Sequence, residues 1–156
     1  MYDRKSETNP GIVLTRFQAV VGSIILLRDP LPLDALARFV EFDDDKVSVV
    51  LSQLHSVILP PSGDHDVPRI YHPSFPDFLT DPDRCSDSRF VISIPAHERL
   101  HAIRCFKLMS SSLKRDLAGI GDASLSNSEV KESDRKVMPP EVQYACLYWP
   151  AHLSYL

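Results

Sequence analysis

The distribution of proline is the feature that most restricts what this chain can fold into. Its 156 residues include 13 prolines and only 5 glycines. Because proline lacks an amide hydrogen and fixes its own φ, helices tend to end before it or start at it. The balance therefore favours short helices separated by rigid turns, and it disfavours glycine-dependent barrels and glycine-rich phosphate loops.

Three helices are predicted in the first third of the chain. Apolar residues recur at helical spacing from Leu14 to Arg28, and the prolines that follow stop that helix. Pro32 starts a short second helix over Leu33 to Val40. Acidic residues at 43–45 then cap a third helix that runs through His55. Its apolar stripe is Val47, Val50, Leu51 and Leu54.

A small β-hairpin is predicted directly after these helices. Val57-Ile58-Leu59 and the segment from Val67 to Tyr71 flank the turn-rich residues 60–66. Three helices followed by a two-stranded wing is the element order of a winged helix. We therefore expect a mainly α chain with a small β-hairpin, in which a flexible segment over residues 1–13 precedes a winged-helix-like domain over residues 14–80.

The second half of the sequence predicts the start of a helical region. Residues 81–118 hold an extended segment, Phe90 to Ile94, and an apolar helix from about Pro95 to Leu113. Residues 119–137 are polar, and Gly119 to Lys136 is typical of a mobile surface loop. A C-terminal helix over residues 138–156 ends on apolar residues without a cap, which suggests a truncated element.

Net charge argues against nucleic acid and anionic membranes as partners. The chain has 17 Lys and Arg against 21 Asp and Glu, a formal charge of -4. Residues 33–66, which include the third helix and the turn of the wing, hold seven acidic and two basic residues, hence 2 − 7 = −5. That surface would be repelled by phosphates. We therefore expect neither nucleic acid nor a membrane as partner.

The cysteines and the apolar runs indicate a reducing compartment. Cys85, Cys105 and Cys146 are an odd number with no C-x-x-C pair, so they predict reduced and mostly buried thiols. No apolar run approaches the roughly 20 residues that cross a bilayer. The charged start of the chain is unlike a secretory signal. These features favour a cytoplasmic protein.

His97-Glu98-Arg99-Leu100-His101 matches the H-E-x-x-H pattern of zinc hydrolases. In that pattern His97 and His101 bind zinc while Glu98 polarises the attacking water. However, Pro95 places His97 in the first turn of its helix, and no third ligand follows at a familiar spacing. The competing interpretation is a pair of surface histidines on an amphipathic helix, and zinc hydrolysis is kept as the alternative function.

Several segments resemble the region that follows the nucleotide-binding domain in fungal NACHT proteins, which are NLR-like members of the STAND class of signalling NTPases. The most specific segment runs from His72 to Asp81 and resembles the family's His-x-Ser-Phe-x-Asp-Phe-Leu pattern. Residues 21–31 resemble the first winged-helix segment, and residues 54–58 resemble the third helix running into the wing. Residues 144–153 are similar to the helical motif beyond it.

The resemblance implies a non-enzymatic regulatory module that packs on a NACHT ATPase core, in cis or in trans, and helps to hold its ADP-bound resting state. A helical or repeat region would follow it. The chain has no Gly-x-x-x-x-Gly-Lys-Ser/Thr loop, so ADP or ATP would enter only with the partner core. His72 resembles the histidine that contacts the β-phosphate of ADP in this class. Its alternative role is to hydrogen-bond the helix that begins at Ser74.

Overall fold

The computed structural model describes residues 9–63, 66–117, 119–121, 124–126, 128–129 and 138–154. In these residues the chain forms six helices and one two-stranded antiparallel sheet. The predicted mainly α fold with a small hairpin is therefore confirmed. The described residues include no helix that is long and apolar enough to span a bilayer.

The first helix, α1, spans Pro10–Leu26 and begins four residues earlier than predicted. The reason is local: the side chain of Asn9 accepts the amide hydrogen of Gly11, and Pro10 fits the first helical position. The helix ends where predicted within two residues, because Pro30 disfavours helical geometry just beyond it. The rest of the predicted flexible segment, residues 1–8, lies outside the described residues.

The second and third helices confirm their predictions closely. Helix α2 spans Leu33–Val40 and α3 spans Asp44–Gln53. Glu41 ends α2 in the left-handed region, at φ 63°, which lets Phe42 N–H donate to the Ala37 carbonyl at 3.0 Å. This turn brings α3 back against α1 and α2.

The hairpin forms between Ile58–Leu59 (β1) and Arg69–Ile70 (β2), with Ile58 paired to Ile70. Helix α4, Ser74–Thr80, follows directly. The predicted extended segment 90–94 forms no strand with other described residues. Instead, Ile92 is buried and its amide donates to the Leu79 carbonyl at 2.7 Å, which ties this segment to the end of α4.

The last two helices are α5, Ile94–Ser112, and α6, Pro140–Leu153. The predicted bounds of α5 are confirmed within one residue, whereas α6 begins two residues later than predicted and ends at Leu153. Helix α5 packs mainly against α6 and also against α1 and α2. Of the predicted mobile loop, residues 122–123, 127 and 130–136 lie outside the described residues, as do residues 155–156 of the predicted C-terminal helix.

One apolar core joins all of these helices. Its buried members come from α1, α2, α3, β1, the end of α4, α5 and α6, and they include Val21, Phe39, Leu51, Ile58, Leu79, Cys105 and Ala145. Tyr148 and Trp149 pack against the core while remaining partly exposed. Burying α5 on several sides is what places its polar residues inside the protein.

Candidate functional site

The inner side of α5 carries an unusual set of buried polar residues. Glu98 is 1% exposed and His101 is fully enclosed, and His152 of α6 is fully enclosed beside them. Each offers a ligand atom, and these atoms lie within 4.8 Å of one another. We call Glu98, His101 and His152 the buried triad. Buried polar groups are costly unless partnered, so their contacts define what the triad does.

A closed circuit of hydrogen bonds holds two members of the triad. The backbone amide of Arg28 donates to Tyr144 Oη at 3.1 Å, and Tyr144 contacts His152 Nε2 at 2.8 Å. His152 Nδ1 contacts Glu98 Oε2 at 2.5 Å. The second oxygen of Glu98 accepts from Arg28 Nη2 at 2.9 Å, which returns the circuit to Arg28.

Donor and acceptor roles in this circuit follow from chemistry. Burial raises the pKa of Tyr144, so its hydroxyl stays protonated and donates to His152 Nε2. With Nε2 acting as an acceptor, the ring of His152 donates its Nδ1 hydrogen to the carboxylate of Glu98. The circuit joins the end of α1 to both α5 and α6 with every polar atom in it used.

His101 is held differently. The hydroxyl of Ser23 donates to the Ala19 carbonyl at 2.7 Å, so its single hydrogen is used. Ser23 Oγ therefore accepts the Nε2 hydrogen of His101 at 3.1 Å. Burial, reinforced by the nearby His152 and Arg104, lowers the pKa of His101 to about 2, so the ring is neutral. Its Nδ1 lone pair is buried and has no partner among the described residues.

His97 does not join the triad, which corrects the H-E-x-x-H interpretation. Its Nδ1 contacts the Ser93 carbonyl at 3.0 Å and its Nε2 contacts the Gln18 carbonyl at 3.1 Å. The ring packs on Gly22 of α1, where an added Cβ would lie 2.4 Å from ring atoms. Both ring nitrogens therefore face backbone carbonyls, of which a neutral ring donates to one, and the ring fills the space between α1 and α5.

The competing prediction of surface histidines is also wrong. His97 and His101 are buried because α1 approaches α5 closely at Gly22, a tertiary contact that no local pattern encodes. His152 is the residue that the motif search missed. It lies seven positions after Ala145, on the same side of α6, so an apolar helical face that contains a histidine was the available signal.

Arg38 and Arg104 differ in how well their charges are paired. Arg38 of α2 makes a bidentate contact with the buried Glu141 of α6, at 2.6 and 3.2 Å. Arg104 of α5 is buried over the Phe39 ring and donates to the Val40 carbonyl at 3.3 Å. Its Nε and Nη1 atoms have no partner in the described part of the chain. Desolvation accordingly lowers the pKa of Arg104.

The cysteines are free thiols, as predicted. Cys85 and Cys105 are buried and Cys146 is partly exposed. Burial raises the pKa of Cys105 to about 12, so this thiol stays protonated and is a poor nucleophile.

His72 lies at the surface, at the start of α4. Its Nδ1 accepts the amide hydrogen of Ser74 at 3.1 Å and lies 2.9 Å from the Ser74 hydroxyl. The predicted hydrogen bond to the following helix is therefore present. With Nδ1 acting as acceptor, a neutral ring carries its hydrogen on Nε2, where it is available for a further contact.

An apolar groove lies between α1 and α3. Phe90 reaches it from the α4–α5 connection and packs edge-on against Phe17 of α1, with ring centroids 5.3 Å apart. A second depression on the same side shares Val13 and Val50 with it. We call this surface the α1/α3 groove. It is lined chiefly by Val13, Leu14, Phe17, Val50, Leu54 and Phe90.

No protein-family model, curated protein or solved structure matches this chain.

Proposed function

We propose that this chain is a non-enzymatic interaction module of a cytoplasmic NACHT-type STAND signalling protein, with a winged-helix domain that packs on an ATPase core. The order of elements supports the winged-helix assignment: three packed helices are followed by an antiparallel wing, with α4 directly behind it. The family-like segment from His72 onward coincides with the turn and helix that leave the wing.

The observation that carries the proposal is the α1/α3 groove. Val13 and Phe90 are large apolar side chains, and each is about two-fifths exposed. Together with Val50 and Leu54 they form a concave apolar strip on a rigid scaffold, which is the geometry that accepts an amphipathic helix or an apolar ridge of a partner. Covering this groove is the role that we assign to the ATPase core.

His72 is the proposed contact to nucleotide in the assembled protein. Because Ser74 fixes Nδ1 as an acceptor, the ring is oriented before any partner arrives. A neutral ring would then donate its exposed Nε2 hydrogen to a phosphate oxygen of ADP bound in the partner. ADP or ATP is therefore a ligand of the assembly, and this chain supplies one hydrogen bond.

Hydrolysis by His97, Glu98 and His101 is not favoured by the geometry. Both nitrogens of His97 face backbone carbonyls, and Glu98 and His101 are at most 1% exposed. A hydrolase needs an open coordination position that a substrate can reach. A substrate could not reach this cluster without separation of α5 from α1 and α6.

Binding to a recombinant fungal NACHT-type ATPase domain loaded with ADP tests the proposal. We expect saturable binding in a titration followed by fluorescence anisotropy, and Val13→Asp should weaken it at least about tenfold by placing a charge in the groove. Thr15→Asp is the matched control, because it adds the same charge to an exposed position of α1 outside the groove lining. Absence of binding by the folded wild-type chain would refute the proposal.

A further inference from the structure

The buried lone pair of His101 is the starting point. Ser23 has no hydrogen left to donate, so His101 must donate from Nε2, and Nδ1 is an acceptor with no donor among the described residues. A buried acceptor without a donor destabilises the folded chain, because the group has lost its hydrogen bonds to water. An imidazole whose second nitrogen donates to an oriented neighbour is how histidine is prepared as a metal ligand.

The neighbours of that lone pair complete a ligand set. Glu98 lies one turn before His101 on α5, so both side chains project from the same side of the helix. His152 approaches from α6, and the three ligand atoms lie within 4.8 Å. Two imidazole nitrogens and a carboxylate oxygen form a donor set that suits zinc and similar divalent transition metals.

We propose that Glu98, His101 and His152 bind one divalent transition-metal ion, of which zinc is the best fit, and that this ion ties α5 to α6. The site is enclosed, so its role is structural. His97, which the H-E-x-x-H motif would make a ligand, takes no part. The proposal stands independently of any partner-binding role of the chain.

Metal binding requires a defined change in the hydrogen-bond circuit. His152 Nδ1 now donates to Glu98, and the metal takes the place of that hydrogen. The ring keeps one proton, which moves from Nδ1 to Nε2 and is donated to Tyr144 Oη, so the Tyr144 hydroxyl must rotate its own hydrogen away from His152. The metal also competes with the guanidinium of Arg28 for Glu98. Since the Arg28 side chain is 31% exposed, it can turn toward water when the carboxylate changes partner.

The test is a zinc titration of the full chain, freed of metal with a chelator and measured by competition with a chromophoric chelator. We expect one zinc per chain. His101→Gln and His152→Gln should each weaken binding at least about 100-fold, and Ser23→Ala, which removes only the support of His101, by about 10-fold. Arg28→Gln should strengthen binding several-fold, because it removes the competing cation.

Two controls and one spectrum keep the test decisive. His55→Gln and Cys146→Ser replace side chains outside the triad that could also bind a metal, and they should leave the affinity for zinc unchanged. Cobalt substitution in the wild-type chain should give the spectrum of nitrogen and oxygen ligands without a thiolate charge-transfer band, and this holds even if a triad variant fails to fold. Absence of stoichiometric metal, a thiolate band, or full affinity in folded His101→Gln would overturn the proposal.

Discussion

His152 Nδ1 lies 2.5 Å from Glu98 Oε2, and both side chains are at most 1% exposed. The two residues belong to different helices, so their contact fixes how α6 sits on α5. Arg28, just beyond the end of α1, places its positive charge against Glu98. The shortest polar contact in the described core therefore lies where three helices meet.

Loss of the charge at this meeting point should destabilise the fold. Glu98→Gln keeps the shape but removes the charge that faces Arg28 and His152, so we expect the free energy of unfolding to fall by about 1–3 kcal/mol. Glu41→Gln is the control, because Glu41 pairs with Lys107 where both side chains are exposed, and it should change stability by less than about 1 kcal/mol. Urea denaturation measures both, and equal effects would contradict the account.

The close approach of α1 to α5 should make Gly22 sensitive to a single methyl group. Gly22→Ala would place Cβ 2.4 Å from the His97 ring, which is buried between α1 and α5 and faces two backbone carbonyls. We expect a loss of about 1–3 kcal/mol by urea denaturation. Gly63→Ala meets no atom of the described residues within 4 Å and should be near neutral. The double variant Gly22→Ala with His97→Ala should be more stable than additivity predicts, and strict additivity would count against this contact.

His101 gives the metal-free protein a specific pH dependence. Its pKa is lowered by burial to about 2, against the usual 6.5 expected in the unfolded chain. Between these values the unfolded chain binds a proton that the native chain does not, so its stability falls as pH decreases below about 6.5. The slope contributed by His101 approaches about 1.4 kcal/mol per pH unit.

The measurement is the free energy of unfolding of chelator-treated protein in urea between about pH 7 and pH 5. In His101→Leu the slope of the free energy of unfolding against pH should be smaller than in wild type, by up to the contribution of one bound proton. An unchanged slope in the variant would show that His101 is not buried and neutral in the native state.

Replacing Arg104 or Arg38 with methionine should change the free energy of unfolding in opposite directions. Arg104→Met removes a buried guanidinium that donates from only one of its nitrogens to the described residues, and we expect the free energy of unfolding to rise by about 1 kcal/mol. Arg38→Met leaves the buried Glu141 without its cation and should lower it by about 1–3 kcal/mol. Thermal and urea denaturation distinguish these outcomes. A comparable loss of stability in both variants would contradict the claim that the Arg104 guanidinium is incompletely hydrogen-bonded.

The helices could be predicted because each depends on short-range signals. The stripe from Val47 to Leu54 and the prolines around α2 encode their elements within a few residues. Apolar spacing predicts the start of α1 too late, because the helix begins at Asn9-Pro10, a polar cap followed by a helix-starting proline.

The candidate site could be predicted only in part, for a physical reason. Glu98 and His101 are visible as a motif, but the burial of α5 depends on its packing against α1 and α6. As a result, His97, which belongs to the motif, packs on Gly22. His152, which lies outside the motif, completes the triad. The spacing of residues in the sequence does not determine which helices, distant along the chain, pack against each other.

The rate at which ADP leaves a NACHT-type ATPase domain tests the proposed function most directly. With fluorescent ADP followed by stopped flow, the saturating wild-type chain should slow release about tenfold. Val13→Asp should abolish the effect, His72→Ala should reduce it, and Thr15→Asp should retain it. A release rate that is the same with and without the chain would contradict the account.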